Sequence, residues 1–140
     1  MKIVFNGYFY KNEKLKVTQA VKIFSENFKI SKNFHFTVHS LNESESKKLN
    51  QKTFNTNKPT DVLSFPFNEK IKKNSFLGDV VISYEIVKKR SYSSSFSREL
   101  DKIWVHGLLH LLGYNHKKLK DYSKMYNKEK IILKKLEIIN

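Results

Sequence analysis

A chain of 140 residues with 39% hydrophobic and 14% aromatic residues can bury a core without covalent staples, which excludes a disordered or fibrous protein. It contains no cysteine, so disulfide-linked partners, iron–sulfur clusters and thiolate metal sites are excluded, and a tightly held transition metal must use imidazole or carboxylate ligands. The 27 Lys and Arg against 13 Asp and Glu give a net charge of +14, a field that attracts polyanions; only Arg90 and Arg98 are arginines, and a Lys/Asn-rich composition has the same effect, so charge supports nucleic-acid binding without deciding it.

The elements follow in chain order. Lys2–Phe5 is expected as a short strand, and its apolar run is too short for a secretory signal. Apolar residues at Ala20, Val21, Phe24 and Phe28 share one helical face and predict a helix over Thr18–Phe28. The alternation Phe34-His35-Phe36-Thr37-Val38-His39 predicts a half-buried strand. Asn42-Glu43-Ser44-Glu45 has the form of a capping box opening a helix to about Leu49–Thr53. After the polar loop ending in Pro59-Thr60, Asp61–Phe67 reads as a strand. Pro66 makes it an edge strand, because proline has no N–H for a ladder. Gly78–Ser83 reads as a further, buried strand.

Ser83 can cap a helix to about Arg90, which the serine cluster Ser91, Ser93, Ser94 and Ser95 interrupts. Ser95 or Ser97 can cap the next helix. That helix runs to Leu112, where Gly113 supplies a left-handed stop. A lysine-rich amphipathic helix closes the chain, with Met125, Ile132, Leu133 and Leu136 on its apolar side. Trp104 and Met125 read as core. Strands early and helices late predict an α+β fold. No linker, repeat or low-complexity stretch divides the sequence, so residues 1–140 are expected to form one domain. No stretch reaches the roughly 18–20 apolar residues of a membrane span, so a cytoplasmic protein without a membrane partner is expected.

Three of the five histidines fall in Val105-His106-Gly107-Leu108-Leu109-His110-Leu111-Leu112-Gly113-Tyr114-Asn115-His116. His106 and His110 are one helical turn apart, with Cβ atoms about 5–6 Å from each other. Two such imidazoles can converge on one ion, and a chain reversal at Gly113 lets His116 return as the third ligand. Alone, a His pair at this spacing is more often structural or solvated. A third His just past a helix-stopping Gly is the spacing of the metzincin signature. Three nitrogens on a tetrahedral Zn²⁺ leave one position open for water or substrate, which is the mark of a catalytic site. His35 and His39 are also four apart, but on a strand that means about 13 Å, too far to share an ion.

In zinc proteases the residue after the first His is a Glu that serves as base. Here it is Gly107, which weakens a protease reading. An open metal site with a basic surround suits phosphodiester cleavage better, with an RNA 2′-OH as a possible nucleophile.

These residues resemble the zinc motif of the YbeY family of endoribonucleases. Two further blocks agree in order and spacing: Asn50 with Pro59-Thr60-Asp61-Val62-Leu63-Ser64-Phe65-Pro66-Phe67, and Leu77-Gly78-Asp79-Val80-Val81-Ile82. Met125 and Glu129 fit the family's C-terminal helix, and the likeness spans essentially the whole chain. The resemblance implies a zincin-like α+β fold in which a mixed, mostly parallel four-stranded sheet packs with several helices around a central metal-binding helix. It implies one Zn²⁺ on His106, His110 and His116. It further implies a single-strand-specific endoribonuclease of rRNA maturation, especially at the small-subunit RNA 3′ end, and of ribosome quality control.

Two positions depart from the family's pattern. Phe54 stands where an Arg usually lines the cleft, and Asn115 stands where an Asp usually precedes the last His. Lys52 or Lys58 can restore charge near the first position, though not a guanidinium fork. Asp79 and Asp61 are candidate carboxylates for the cleft, as partners of a ligand His. A strand-end Asp bonded to nearby backbone is the commoner alternative. Lys58, Lys117, Lys118 and Lys120 are candidates for guiding the RNA backbone, set against a merely solvated helix face. Tyr114 either stacks on a base or simply packs. The catalytic base is not assigned. Two other functions stay open: a non-enzymatic, zinc-stabilised ribosome-assembly factor, and a zincin-type metalloprotease.

Overall fold

The computed structural model describes all residues except 31, 55–61, 68–75, 94 and 140, and the side chains of all of these except 27, 53, 54, 93, 138 and 139. Its elements are β1 (Lys2–Gly7), α1 (Lys11–Asn27), β2 (His35–Leu41), α2 (Glu43–Phe54), β3 (Val62–Pro66), β4 (Phe76–Ser83), α3 (Tyr84–Arg90), a 3-10 turn (Ser91–Ser93), α4 (Phe96–Leu111) and α5 (Leu119–Ile139). The four strands form one sheet in the order β1-β2-β4-β3. β1, β2 and β4 are parallel, and β3 runs antiparallel to β4. The α+β fold with a mixed, mostly parallel sheet is as expected, and β3 occupies the edge that Pro66 requires.

Local chemistry accounts for most boundaries. The capping box at Asn42 forms in full: Glu45 N–H donates to Asn42 Oδ1 (2.8 Å), and Asn42 N–H donates to Glu45 Oε1 (3.2 Å). These bonds satisfy two otherwise orphan donors at the start of α2. Ser95 caps α4 by accepting from Arg98 N–H (3.2 Å). Ser83 sits at the head of α3 but does not cap it; its hydroxyl is buried without a hydrogen-bond partner among the described residues. Helix α1 starts seven residues before the expected Thr18. Tyr10 N–H is taken by Glu13 Oε2 (3.0 Å), and the first turns carry lysines rather than an apolar stripe, so periodicity does not reveal them.

Along β2 burial alternates, with Phe36, Val38 and Ser40 inside and His35, Thr37, His39 and Leu41 half-buried. Phe36 and Val38 join Ile3, Val80 and Ile82 as the apolar face of the sheet, against which α4 packs. Helix α4 also contacts α1, α3 and α5. It is therefore buried over most of its surface, through Leu100, Ile103, Trp104, Val105, Leu108 and Leu109. Burying each large apolar side chain of this kind contributes about 1.5–3 kcal/mol, so α4 is fixed from several directions. Trp104 meets its one polar need internally, donating from Nε1 to Asp101 Oδ1 (2.9 Å). Met125, Ile132 and Leu136 of α5 close the core. Among the described residues no helix is long and apolar enough to cross a membrane.

Candidate metal centre

Helix α4 lies close against the sheet at Gly107. A Cβ there would lie 2.6 Å from Val80 Cγ1, 3.1 Å from Val80 Cγ2 and 3.3 Å from Ser64 Oγ. Val80 is fully buried and β-branched, so it has no alternative place to go. Ser64 Oγ donates to Gly107 O (3.2 Å), pinning the helix to the edge strand. The residue that a protease would use for its Glu is therefore the one where any Cβ presses on Val80. On the same helix His106 and His110 are half-buried and lie one turn apart on a shared side.

The chain then reverses. Leu112 N–H bonds Leu108 O (3.0 Å), Gly113 N–H bonds His110 O (3.1 Å), and Tyr114 N–H reaches back to Leu109 O (3.0 Å). This closed turn requires the left-handed backbone that Gly113 adopts, with φ of 103°. A Cβ there would meet nothing within 4 Å; the demand is conformational rather than spatial. The reversal brings His116 to ring-centroid distances of 4.9 Å from His110 and 5.7 Å from His106.

Hydrogen bonding on the outer ring nitrogens sets the tautomers. His106 Nδ1–H donates to Glu129 Oε1 (2.6 Å), and His110 Nδ1–H donates to Tyr114 O (3.0 Å). Both partners are acceptors, so in the neutral rings both Nε2 atoms carry lone pairs. Those two atoms face each other at 3.1 Å. Two bare lone pairs at that distance repel unless a cation lies between them. A tetrahedral ion with Zn–N bonds of 2.0–2.1 Å needs an N–N separation of about 3.3 Å. One ligand nitrogen from each of His106, His110 and His116 lies within 4.8 Å of the others. Burial and then the neighbouring His106 lower the His110 pKa below the ordinary imidazole value, which favours its neutral, ligating form. The residues present fit a metal ion, and the exposed His116 leaves one side of it open.

The expectation that Asp79 orients a ligand His is not met. Val80 faces α4, so its neighbour Asp79 points to the opposite face of the sheet. There Asp79 Oδ1 accepts from His39 Nε2–H (2.7 Å), while Asn6 Nδ2–H donates to His39 Nδ1 (3.0 Å). The carboxylate on His106 is that of Glu129 instead. One signal pointed to it: Glu129 shares a helical face with Met125, Ile132 and Leu136, where an acid needs a partner. Tyr114 packs against the core, and its contribution to the site is a backbone carbonyl. Lys52 is exposed in the last turn of α2, and Lys117, Lys118 and Lys120 are exposed just beyond His116. Lys58 and Asp61 lie outside the described residues, as does the Phe54 side chain. A cleft of about 130 Å³ is lined by His106, His116, Tyr122, Met125, Tyr126 and Glu129; the two tyrosines were not anticipated from sequence.

A mostly parallel sheet with an antiparallel edge strand, crossed by a helix that offers two imidazoles and a third beyond its terminal Gly, defines the zincin-like class of α+β fold. Residues 9–137 match the model of the family described as Endoribonuclease YbeY. The chain belongs to that family. It is 45% identical to the Endoribonuclease YbeY of Pelagibacter ubique over 129 residues, covering 89% of this chain and 84% of the relative. It is 37% identical to that of Aquifex aeolicus over 107 residues, covering 74% and 71%. A solution structure of a Thermotoga maritima protein superposes with a TM-score of 0.65 at 29% identity, covering 97% of this chain and 89% of that one.

Proposed function

We propose that residues 1–140 act as a single endoribonuclease domain that holds one Zn²⁺ with His106, His110 and His116 and cuts single-stranded segments of ribosomal RNA during maturation. The observation that carries this reading is the pair of Nε2 atoms 3.1 Å apart with a third imidazole beside them. An all-imidazole site with an open position suits zinc. When bound, zinc supplies the Lewis acidity that polarises a phosphoryl oxygen. Glu129 and the Tyr114 carbonyl hold the ligand rings in register. Lys117, Lys118 and Lys120 lie exposed next to His116 and draw the phosphate backbone toward the opening.

The relatives are named endoribonucleases, which supports RNA as the substrate. The small-subunit RNA 3′ end within the cytoplasmic ribosome is the target this reading favours. Proteolysis is disfavoured, because at Gly107 a Cβ would already press on Val80, so no Glu stands there, and Glu129 bonds the ring nitrogen remote from the ligating one.

The test is a cleavage assay with labelled single-stranded RNA and with casein, using zinc-loaded protein, EDTA-treated protein and His110→Ala. Cleavage of RNA alone, by the loaded wild type alone, is expected. Intact RNA in every lane, with binding to ribosomal subunits retained, would instead mark a non-enzymatic assembly factor.

A further inference from the structure

The first turns of α5 carry two large aromatic side chains in the open beside the metal centre. Tyr122 and Tyr126 are 53% and 50% exposed. They stand one helical turn apart with their rings 8° from parallel and centroids 6.1 Å from each other. Both line the cleft that His106 and His116 also line. Their position is fixed on two sides. Met125, between them in sequence, is buried in the core, and Glu129, three residues past Tyr126, bonds His106. The ring faces are thus held at a set distance from the ligand imidazoles.

The surroundings are cationic. Lys130 Nζ lies 5.6 Å from the centroid of Tyr126, and Lys118, Lys120 and Lys124 are exposed nearby along the chain. Exposed aromatic area rimmed by polar residues marks a binding surface. Aromatic faces set among lysines fit a planar base on a phosphate chain: the ring takes the base, and the ammonium groups take the backbone.

We propose that Tyr122 and Tyr126 form a stacking platform for an unpaired nucleobase, and that it positions the strand whose phosphate lies at the three histidines. This rests on the reading of the chain as an RNA-cutting enzyme and adds to it a physical basis for single-strand preference. A base paired in a helix does not offer its face to the platform, whereas an unpaired base does.

The test compares a fluorescein-labelled 2′-O-methyl single strand with the same strand made abasic, each titrated into zinc-loaded protein and followed by anisotropy. Wild type is expected to bind the base-bearing strand about tenfold more tightly. The Tyr122→Leu/Tyr126→Leu variant should lose that difference, and Tyr122→Phe/Tyr126→Phe should keep it, since stacking needs the ring and not the hydroxyl. Equal binding of the two strands by wild type would overturn the platform. So would a Leu variant that weakens both strands alike, or a Phe variant that loses the difference. The cleavage assay fails separately: base-dependent binding without RNA cutting would refute the enzymatic reading alone, and cutting without base dependence would refute the platform alone.

Discussion

At the scale of single residues, the metal site depends on which ring nitrogen is free. Glu129 and the Tyr114 carbonyl occupy the Nδ1 positions of His106 and His110, which turns both Nε2 lone pairs inward. Replacing Glu129 by Gln keeps the shape but removes the charge that holds the His106 proton in place. Such outer partners typically matter 10–100-fold for metal affinity. Zinc affinity of Glu129→Gln, measured by competition with a chromophoric chelator, should fall by about that range with the fold intact by circular dichroism. Unchanged affinity would remove Glu129 from the account. The three histidines were legible in the sequence because their spacing is local: one helical turn, one glycine, one short return. Glu129 was less so, since its bond to His106 spans 23 residues and depends on how α5 docks. Asp79 is only a candidate for the cleft from sequence, and the alternation of β4 sends it to the other face, toward His39.

At the scale of elements, α4 is both the core helix and the carrier of two of the three converging histidines. Its contact with the sheet at Gly107 converts packing into site geometry. Gly107→Ala places a methyl against Val80 and Ser64, and overpacking of this kind costs about 1–3 kcal/mol. The better helix propensity of Ala offsets about 1 kcal/mol of that. A net loss on the order of 1 kcal/mol is expected in urea unfolding, with weaker zinc binding because the helix lifts from the sheet. A more stable variant with unchanged zinc affinity would contradict the tight-contact explanation. Apolar periodicity and the Asn42 and Ser95 caps gave α2 and α4 nearly in full, and Pro66 gave the edge strand. The start of α1 was hidden because residues 11–16 have no apolar stripe, and the role of Gly107 was hidden because close approach between elements leaves no local pattern.

At the scale of the whole molecule, the charge of +14 was evident from composition, but its arrangement was not. Eight lysines lie in residues 117–140, and Lys117, Lys118 and Lys120, just after His116 in the chain, are exposed. Each single-strand phosphate neutralised contributes about 0.7 to the slope of log K against log salt. Replacing Lys117, Lys118 and Lys120 with Gln should therefore flatten that slope by about 2 for single-stranded RNA, measured by anisotropy between 50 and 200 mM salt (a range on the order of that in which such slopes are read). An unchanged slope would place the backbone elsewhere. The fold class could be anticipated because strand and helix patterns are distributed along the chain. The pairing of α5 with the metal helix, which builds the cleft, exists only once both have packed on the core.

The account stands on one ion shared by three imidazoles. X-ray absorption at the zinc edge, on protein loaded with one equivalent of Zn²⁺, addresses it most directly. Three imidazole nitrogens at about 2.0–2.1 Å, reduced to two in His116→Ala, are the predicted result. A spectrum without imidazole scattering, or one that His116→Ala leaves unaltered, would contradict it.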